Sequence, residues 1–273
     1  MAQELRLMAV HAHPDDESSK GAASVARYRA EGVDVLVVTC TGGEAGSVLN
    51  ENYSGTVEDM AAVRRLEMAQ AASILDIQHR WLGFVDSGMD EPLPEGSFAV
   101  LPLAEAAAPL IDVMREFRPH VVTTYDENGG YPHPDHIRTH EVTMFAVEAL
   151  KADWQVHKVY FHHNFSRSRI AALHEAMSSR GLHSAYDEWL HEWAVENDSF
   201  KRVTTRVECA DYFGIRDAAL RAHATQVDPD GDWFAVPHEI EREIWPTEDF
   251  ELAMSVVDSP LPESDLFAGI REV

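Results

Sequence analysis

Apolar runs typical of buried strands alternate with helix-length segments along the first 165 residues of this chain. The strand patterns lie at residues 5–12, 33–41, 80–84, 120–125 and 158–162, and the helical patterns at 19–31, 57–75, 103–117 and 137–150. Strands that alternate with helices in this way form parallel sheets that are covered on both faces. The alternation therefore predicts an α/β, Rossmann-like fold with a mostly parallel sheet and helices on both of its faces.

The remaining third of the chain has a different pattern. Helices are predicted at residues 168–180, 187–194 and 211–224, whereas residues 227–263 are rich in Pro, Asp and Trp and show no sustained periodicity. We expect residues 166–273 to form a smaller helical and irregular cap, packed on a catalytic core of residues 1–165 that contains the metal site. Because no flexible linker marks the boundary, a single domain is the alternative.

Clusters of histidine and acidic residues follow two of the predicted strands. Residues 13–17 read His-Pro-Asp-Asp-Glu after the first strand, and residues 133–136 read His-Pro-Asp-His after the fourth strand. The carboxyl ends of parallel strands lie along one edge of a sheet, where open α/β folds bind ligands, so the two clusters should meet. Several carboxylates gathered at one place favour a cation, and a divalent metal fits the imidazole neighbours.

The first cluster contains two adjacent carboxylates that are expected to have different roles. In a tight turn the side chains of Asp15 and Asp16 diverge, so one is expected to bind the metal while the other faces a metal-activated water and accepts its proton. His13 is favoured over His11 as the imidazole ligand because His13 adjoins the acids. A hydrogen-bonded turn without a metal is the other interpretation.

The second cluster offers two imidazoles at the start of a helix. If either His133 or His136 binds the metal, the other is free to hydrogen-bond a substrate carbonyl. Asp135 can orient and charge a neighbouring imidazole, which raises the pKa of that ring and suits it to stabilise an oxyanion. In the alternative interpretation Asp135 caps the helix and the histidines are surface residues.

Charge and composition restrict the partners of the chain. Among 273 residues, 47 are acidic and 22 are Lys or Arg, for a formal net charge of −25. Binding to nucleic acid requires a local excess of basic residues, so no nucleic-acid partner is expected. No apolar stretch approaches the roughly 20 residues of a membrane span, and no signal-peptide pattern is found. With only two cysteines, a cytoplasmic location is expected.

Two segments resemble the signatures of a known family. They are the Ala-His-Pro-Asp-Asp-Glu turn at residues 12–17 and the His-Pro-Asp-His box at 133–136, both intact and both placed after predicted strands. In these the chain resembles the LmbE/PIG-L family of zinc-dependent N-deacetylases. Residues 11–22, 81–89 and 222–226 are most similar to the family members that act on mycothiol and its precursors.

The resemblance implies a role for each residue of the first cluster. His13 and Asp16, together with His136 from the second cluster, would bind zinc. Asp15 would act as the general base and later as an acid toward the leaving amine. The cofactor is therefore expected to be one zinc ion per chain, with ferrous iron as the alternative.

The resemblance also implies roles for residues around the metal. His133, oriented by Asp135, would stabilise the tetrahedral oxyanion, and Tyr131 would assist from a mobile loop. Arg64 and Asp86, which the predicted fold already places near the same sheet edge, match positions that bind the sugar and inositol hydroxyls.

The activity that the resemblance implies is hydrolysis of an amide in a small thiol-sugar substrate. The expected bond joins N-acetylcysteine to glucosaminyl-inositol in mycothiol S-conjugates, and its cleavage releases a mercapturic acid in a detoxification role. Deacetylation of N-acetylglucosaminyl-inositol is the alternative, and a non-enzymatic metal-binding or ligand-sensing protein is a third class. Lys20, four residues after Asp16, is our candidate contact for the S-linked part of the substrate. A homo-oligomer is compatible with these expectations.

Overall fold

The structure is a computed structural model that describes residues 4–163, 165–192, 194–195 and 198–271. Its strands are β1 (Arg6–His11), β2 (Asp34–Thr41), β3 (Gln78–Phe84), β4 (Val121–Thr124), β5 (Lys158–His162), β6 (Thr205–Glu208) and β7 (Thr247–Ser255). Its α-helices are α1 (Asp16–Ser19), α2 (Ala22–Ala30), α3 (Met60–Leu75), α4 (Leu103–Phe117), α5 (Pro134–Leu150), α6 (Arg167–Ser179), α7 (Asp187–Glu192), α8 (Phe213–Arg221) and α9 (His238–Ile244). Residue 193, within the helix predicted at 187–194, lies outside the described residues.

The strands form one seven-stranded sheet in the order β3-β2-β1-β4-β5-β7-β6. The first five strands in this order pair in parallel, whereas β7 pairs antiparallel with both β5 and β6. The predicted Rossmann-like α/β fold with a mostly parallel sheet is confirmed. The chain builds outward from β1 to one side and returns to β4 on the other side, so the strand order reverses between β1 and β4.

Both faces of the sheet are buried under helices, as the apolar strands predict. Met8 and Val10 of β1 pack on one face in a cluster with residues of α4 and α5. Leu7 and Ala9, which alternate with them, pack on the other face against residues of α2 and α3 respectively. Successive side chains of a strand point to opposite faces, so a strand covered on both sides is apolar throughout. No described helix has the length and apolar composition needed to cross a lipid bilayer.

The C-terminal part of the chain contains more regular structure than its sequence predicts. β6 and β7 extend the main sheet, and residues 227–263, which we expected to be irregular, contain α9 and β7. Acidic residues interrupt the apolar pattern of β7 in the sequence. Two of them are nevertheless buried, because they have hydrogen-bond partners elsewhere in the fold. Glu248 accepts hydrogen bonds from backbone N–H groups at the start of α2, and Asp249 accepts one from the indole of Trp245 at 2.7 Å. The division into a core of residues 1–165 and a cap of residues 166–273 stays a prediction.

The helix predicted at residues 19–31 is interrupted at Gly21. Gly21 has a φ of +86°, and a Cβ at this position would lie 2.8 Å from Cε1 of His162. Only glycine combines this left-handed conformation with such a close approach. The break separates the short helix α1, which carries Asp16, from α2, and so leaves the first cluster in a compact turn.

Candidate metal centre

The two histidine and carboxylate clusters lie side by side at the carboxyl edge of the sheet. β1 ends at His11 and residues 12–15 lead into α1, while β4 ends at Thr124 and residues 125–133 lead into α5. β1 and β4 flank the position where the strand order reverses, which is where open α/β sheets form a ligand-binding crevice. The fold therefore brings together two segments that are far apart in the sequence.

Three buried donor atoms converge at this edge. Nδ1 of His13 lies 3.3 Å from Nε2 of His136 and 3.7 Å from Oδ2 of Asp16, and the latter two atoms are 3.4 Å apart. Zinc bonds of about 2.0–2.1 Å in a tetrahedral site place the ligand atoms roughly 3.3 Å from one another. One carboxylate and two imidazoles at these distances could hold one metal ion.

Hydrogen bonding prepares His136 for a cation. Its Nδ1 lies 3.0 Å from the carbonyl oxygen of Gly129, which places the ring proton on Nδ1 and leaves Nε2 unprotonated. Gly129 has a φ of +73°, and a Cβ at this position would lie 2.7 Å from Cβ of His136. Glycine at position 129 therefore allows the loop to approach and orient the imidazole.

Asp16 is held by donors on both of its oxygens. Oδ2 accepts a hydrogen bond from the hydroxyl of Tyr125 at 2.6 Å and from the backbone N–H of His13 at 3.1 Å, and Oδ1 accepts one from Nζ of Lys20 at 2.6 Å. Burial opposes ionisation of Asp16, but His136, Lys20 and His13 outweigh burial and hold its pKa well below the ordinary value. The carboxylate is therefore charged and fixed in orientation.

The carboxylate of Asp135 supports His13 and does not pair with His133 as we expected. Its Oδ2 lies 3.3 Å from Nε2 of His13 and accepts the backbone N–H of Ser87 at 2.9 Å. Oδ1 of Asp86 lies 3.6 Å from the same His13 nitrogen. Burial lowers the pKa of His13, but hydrogen bonding with Asp135 and Asp86 outweighs burial and raises the pKa to about 10. A carboxylate behind a histidine ligand fixes the ring and increases its basicity.

His133 is the N-cap residue of α5 and has one ring nitrogen that can donate a hydrogen bond. Its Nδ1 accepts the backbone N–H of Asp135 at 3.1 Å, so the proton of the neutral ring lies on Nε2. Burial, followed by the charge on His13, lowers the pKa of His133, so the rise expected for an imidazole beside Asp135 is found at His13 and not at His133. His133 is therefore a neutral hydrogen-bond donor next to the potential metal ligands. His13, His133 and Asp135 also form a second group that could hold an ion, and this group shares His13 with the first.

Tyr131 lies at the mouth of the site and is 49% exposed. Its ring centroid is 4.6 Å from that of His136 and 6.0 Å from that of His133. Burial, together with the negative charges of Asp16 and Asp15, raises the pKa of the Tyr131 hydroxyl. The hydroxyl therefore stays protonated and can donate a hydrogen bond.

Asp15 diverges from Asp16, as expected for neighbours in a tight turn. Its backbone is left-handed, with a φ of 89°, and its N–H donates to Oε2 of Glu17 at 3.0 Å. Oδ2 of Asp15 lies 2.9 Å from Nη2 of Arg64. Burial raises the pKa of Asp15, and this effect outweighs the opposing effect of Arg64. A carboxylate with a raised pKa beside a metal site is suited to accept a proton.

Arg64 and Asp86 are each only 5% exposed, and their polar atoms contact neighbouring loops. Arg64 donates to the carbonyl oxygens of Pro14 at 2.5 Å and Gly43 at 3.2 Å, in addition to Asp15. Oδ2 of Asp86 accepts the backbone N–H of Ala45 at 3.1 Å. Both residues therefore support the walls of the site, and their contact with substrate stays a prediction.

His11, the alternative ligand, lies outside both groups of potential metal ligands. Its ring stacks on that of His162 with centroids 5.5 Å apart, and burial lowers its pKa to about 4. Within the described residues, Nδ1 of His11 and both ring nitrogens of His162 have no hydrogen-bond partner. The choice of His13 over His11 as a metal ligand stays a prediction.

Sequence reasoning missed a buried ion pair below the turn. Oε1 of Glu17 lies 2.8 Å from Nε2 of His223, and both side chains are buried. Burial raises the pKa of Glu17, but His223 outweighs burial and lowers the pKa to about 2. Glu67 accepts two hydrogen bonds from Thr225 at 2.8 Å, which anchors the same segment. The sequence shows no acid beside His223, so the pairing could be found only from the fold. Tyr125 was likewise expected only as the end of a strand.

Comparisons with known proteins identify the family of this chain. Residues 8–147 match the family model described as PIG-L, GlcNAc-PI de-N-acetylase. The chain is 56% identical to the mycothiol S-conjugate amidase of Streptomyces coelicolor, over 100% of this chain and 99% of that protein. It is 38% identical to the 1D-myo-inositol 2-acetamido-2-deoxy-alpha-D-glucopyranoside deacetylase of Streptomyces avermitilis, over 97% of both chains.

A solved structure shares the fold. The N,N'-diacetylchitobiose deacetylase of Pyrococcus horikoshii superposes with a TM-score of 0.58 at 19% identity, over 90% of this chain and 83% of that one. The family model covers both clusters of the candidate metal centre. With full-length similarity to two named relatives, these matches establish that the chain belongs to the PIG-L family of de-N-acetylases.

Proposed function

We propose that this protein is a zinc-dependent amidase that hydrolyses mycothiol S-conjugates to a mercapturic acid and glucosaminyl-inositol. The observation that carries the proposal is the convergence of His13, Asp16 and His136 at distances that suit one zinc ion. Full-length identity of 56% to a mycothiol S-conjugate amidase favours this substrate over that of the more distant deacetylases. The role is detoxification, because the cleaved product carries the S-substituent away from the sugar.

The protein's residues prepare both the metal and the proton transfers. When bound to His13, Asp16 and His136, zinc supplies Lewis-acid chemistry that activates water and polarises the amide carbonyl. Asp15 accepts a proton from the attacking water on its carboxylate, and its raised pKa makes it a suitable base. Asp15 then delivers the proton to the amide nitrogen as the C–N bond breaks. The acyl carbon keeps the hydroxyl group, and the sugar leaves as an amine.

Two hydrogen-bond donors can stabilise the negative charge that develops on the carbonyl oxygen. Nε2–H of His133 is available because Nδ1 of that ring already accepts the N–H of Asp135. The hydroxyl of Tyr131 is protonated and lies on the open side of the site. Fixed donors aimed at a developing oxyanion lower the barrier of acyl transfer.

The substrate is held between these groups and a wider cleft. We propose that Arg64 and Asp86 shape the part of the site that binds the sugar and inositol hydroxyls. We propose that Lys20, which lines the cleft and pairs with Asp16, contacts the S-linked part of the substrate. Asp135 acts as a positioning residue through its contact with His13.

We further propose that each chain binds one zinc ion, with ferrous iron as the alternative metal. The enzyme would act in the cytoplasm on a small thiol-sugar substrate, without nucleic-acid or membrane partners. Self-association into a homo-oligomer is compatible with this function.

The decisive experiment compares two substrates on the metal-loaded enzyme. We expect kcat/KM for a mycothiol S-conjugate to exceed that for N-acetylglucosaminyl-inositol by at least tenfold. The reverse preference would assign the chain to the biosynthetic deacetylases, its alternative function. Asp15→Asn should abolish hydrolysis of both substrates while zinc stays bound at one per chain. Retained hydrolysis in this variant would refute the assigned base, and absence of hydrolysis by the wild type would favour a ligand-sensing protein.

A further inference from the structure

The cleft at the metal centre extends far beyond the reacting groups. It encloses about 810 Å³ and is lined both by Asp15 and Asp16 and by the aromatic side chains of Phe165 and Trp233. The same two aromatic side chains also line a separate cavity of about 160 Å³, which none of the potential metal ligands reaches. Phe165 and Trp233 therefore lie where the cleft meets this second cavity, and we call this pair the aromatic wall.

The aromatic wall is preformed and only partly covered by the protein. The ring centroids of Phe165 and Trp233 are 5.4 Å apart at an interplanar angle of 81°, an edge-to-face pair. Phe165 is 36% exposed and Trp233 is 44% exposed. Edge-to-face packing holds two rings in a defined orientation, and covering their exposed apolar area in a concave site favours binding.

The rest of the cleft is lined by both apolar and charged side chains. Leu49, Leu220 and Val227 also line it and add apolar surface. The side of the candidate metal centre carries the carboxylates of Asp15 and Asp16, which suit a polar group, and the charged side chains of Arg167 and Glu192 also line the cleft. A ligand that fills the whole cleft must therefore carry both polar and apolar groups.

We propose that the aromatic wall binds the substituent on the substrate sulfur and selects apolar, especially aromatic, groups. This inference rests on the proposed amidase function, in which the sugar-inositol half is constant and the S-substituent varies. The hydroxyl-rich half matches the polar side of the cleft, which leaves the wall for the variable half. The wall explains how one enzyme accepts different substituents, since apolar contact with aromatic faces depends on area and not on a fixed set of hydrogen bonds.

The test uses two conjugates that share N-acetylcysteine and glucosaminyl-inositol and differ only on sulfur, one S-benzyl and the other S-methyl. We expect the wild type to prefer the S-benzyl conjugate in kcat/KM. The ratio of the two kcat/KM values should fall about tenfold in Phe165→Ala and in Trp233→Ala. Phe145→Ala is the matched control, because Phe145 is 37% exposed on α5 but does not line the cleft. Its ratio should equal that of the wild type.

The possible outcomes separate the wall from the proposed function. An unchanged ratio of the two kcat/KM values in both wall variants, with or without an equal loss of activity on both conjugates, would overturn the inference. The amidase function would remain intact. If the wild type cleaves neither conjugate, the amidase function fails, and calorimetric binding of the same two ligands decides on the wall. A benzyl preference in binding that both wall variants lose supports the inference, and its absence in the wild type refutes it. Thermal unfolding identifies a variant that fails to fold, and Phe165→Leu replaces Phe165→Ala if that variant does not fold.

Discussion

The hydroxyl of Tyr125 links the fold to the metal centre, and removing it should affect both stability and zinc affinity. The hydroxyl donates to Oδ2 of Asp16 at 2.6 Å and accepts the backbone N–H of Ala12 at 2.8 Å, in a side chain that is 1% exposed. Tyr125→Phe removes both hydrogen bonds with little change in shape. The N–H of Ala12 then has no partner from this side chain, and the ligand Asp16 loses a donor that orients it.

The structure offers a closely matched control in Tyr28. Its hydroxyl donates to Oδ1 of Asp265 at 2.9 Å and accepts the backbone N–H of Leu266 at 2.8 Å, and the side chain is fully buried. Tyr28→Phe therefore breaks the same two kinds of hydrogen bond at a place remote from the metal ligands. The two variants separate the cost of lost hydrogen bonds from an effect on the metal.

The magnitudes follow from these contacts. A buried polar group left without a partner costs about 1–3 kcal/mol, so we expect both variants to lose about 2 kcal/mol in the free energy of unfolding without metal. Loss of a hydrogen bond that orients a metal ligand typically weakens metal binding about 10–100-fold. We therefore expect Tyr125→Phe, but not Tyr28→Phe, to weaken zinc binding by roughly this factor.

Urea unfolding of the metal-free proteins measures the first effect, and zinc competition with a chromogenic chelator measures the second. Wild-type zinc affinity in Tyr125→Phe, combined with the expected loss of stability, would refute the assignment of Asp16 as a ligand that Tyr125 orients. Equal weakening of zinc binding in both tyrosine variants would show that the effect reflects general destabilisation.

Three further predictions concern Glu17 in the turn after β1, Gly129 in the loop before α5 and the buried His120. Glu17→Gln should lower the free energy of unfolding by about 3 kcal/mol in urea denaturation at pH 7, because it leaves the buried His223 without a charged partner. A loss under about 0.5 kcal/mol would show that the pair does not stabilise the fold. Gly129→Ala should weaken zinc binding at least tenfold. Residue 129 has a φ of +73°, and a Cβ there would lie 2.7 Å from Cβ of His136, so the loop must move. Unchanged zinc affinity in the chelator competition would show that the loop does not orient His136. Burial lowers the pKa of His120 from 6.5 to about 4, so the unfolded chain binds more protons between these pH values and stability falls as the pH falls. His120→Asn should reduce this slope by up to about 1.4 kcal/mol per pH unit in urea denaturation between pH 6.5 and 4, and an unchanged slope would contradict the assignment.

The parallel part of the sheet could be predicted because burial on both faces leaves a plain signature. β1, β2, β4 and β5 are nearly continuous apolar runs, and few other structures bury such a run. β6 and β7 escaped prediction because their polar residues are satisfied by distant partners. Glu248 interacts with the start of α2, and that partner lies more than 200 residues away in the sequence. Local pattern contains no information about such a contact.

The chemistry of the site could be predicted in kind. Histidine and carboxylate side chains after two strands of one sheet indicate a cation site, because parallel strands share an edge and like charges need a counter-ion. Donor atoms of the three residues that the resemblance implies as ligands lie 3.3–3.7 Å from one another, and their role as ligands stays a prediction. The orienting contacts could not be predicted, since Tyr125 and Gly129 have no sequence feature that marks them as partners of Asp16 and His136.

The sequence by itself therefore determined the α/β fold, the two clusters and their common edge of the sheet. Only the tertiary structure decided which nitrogen and oxygen atoms converge at the candidate metal centre. It directs Asp135 to His13 and not to its neighbour His133, and it pairs Glu17 with His223 across the fold. The physical reason is that composition and spacing place a residue on an element, whereas hydrogen-bond geometry in a buried site depends on side chains that approach from elsewhere in the chain.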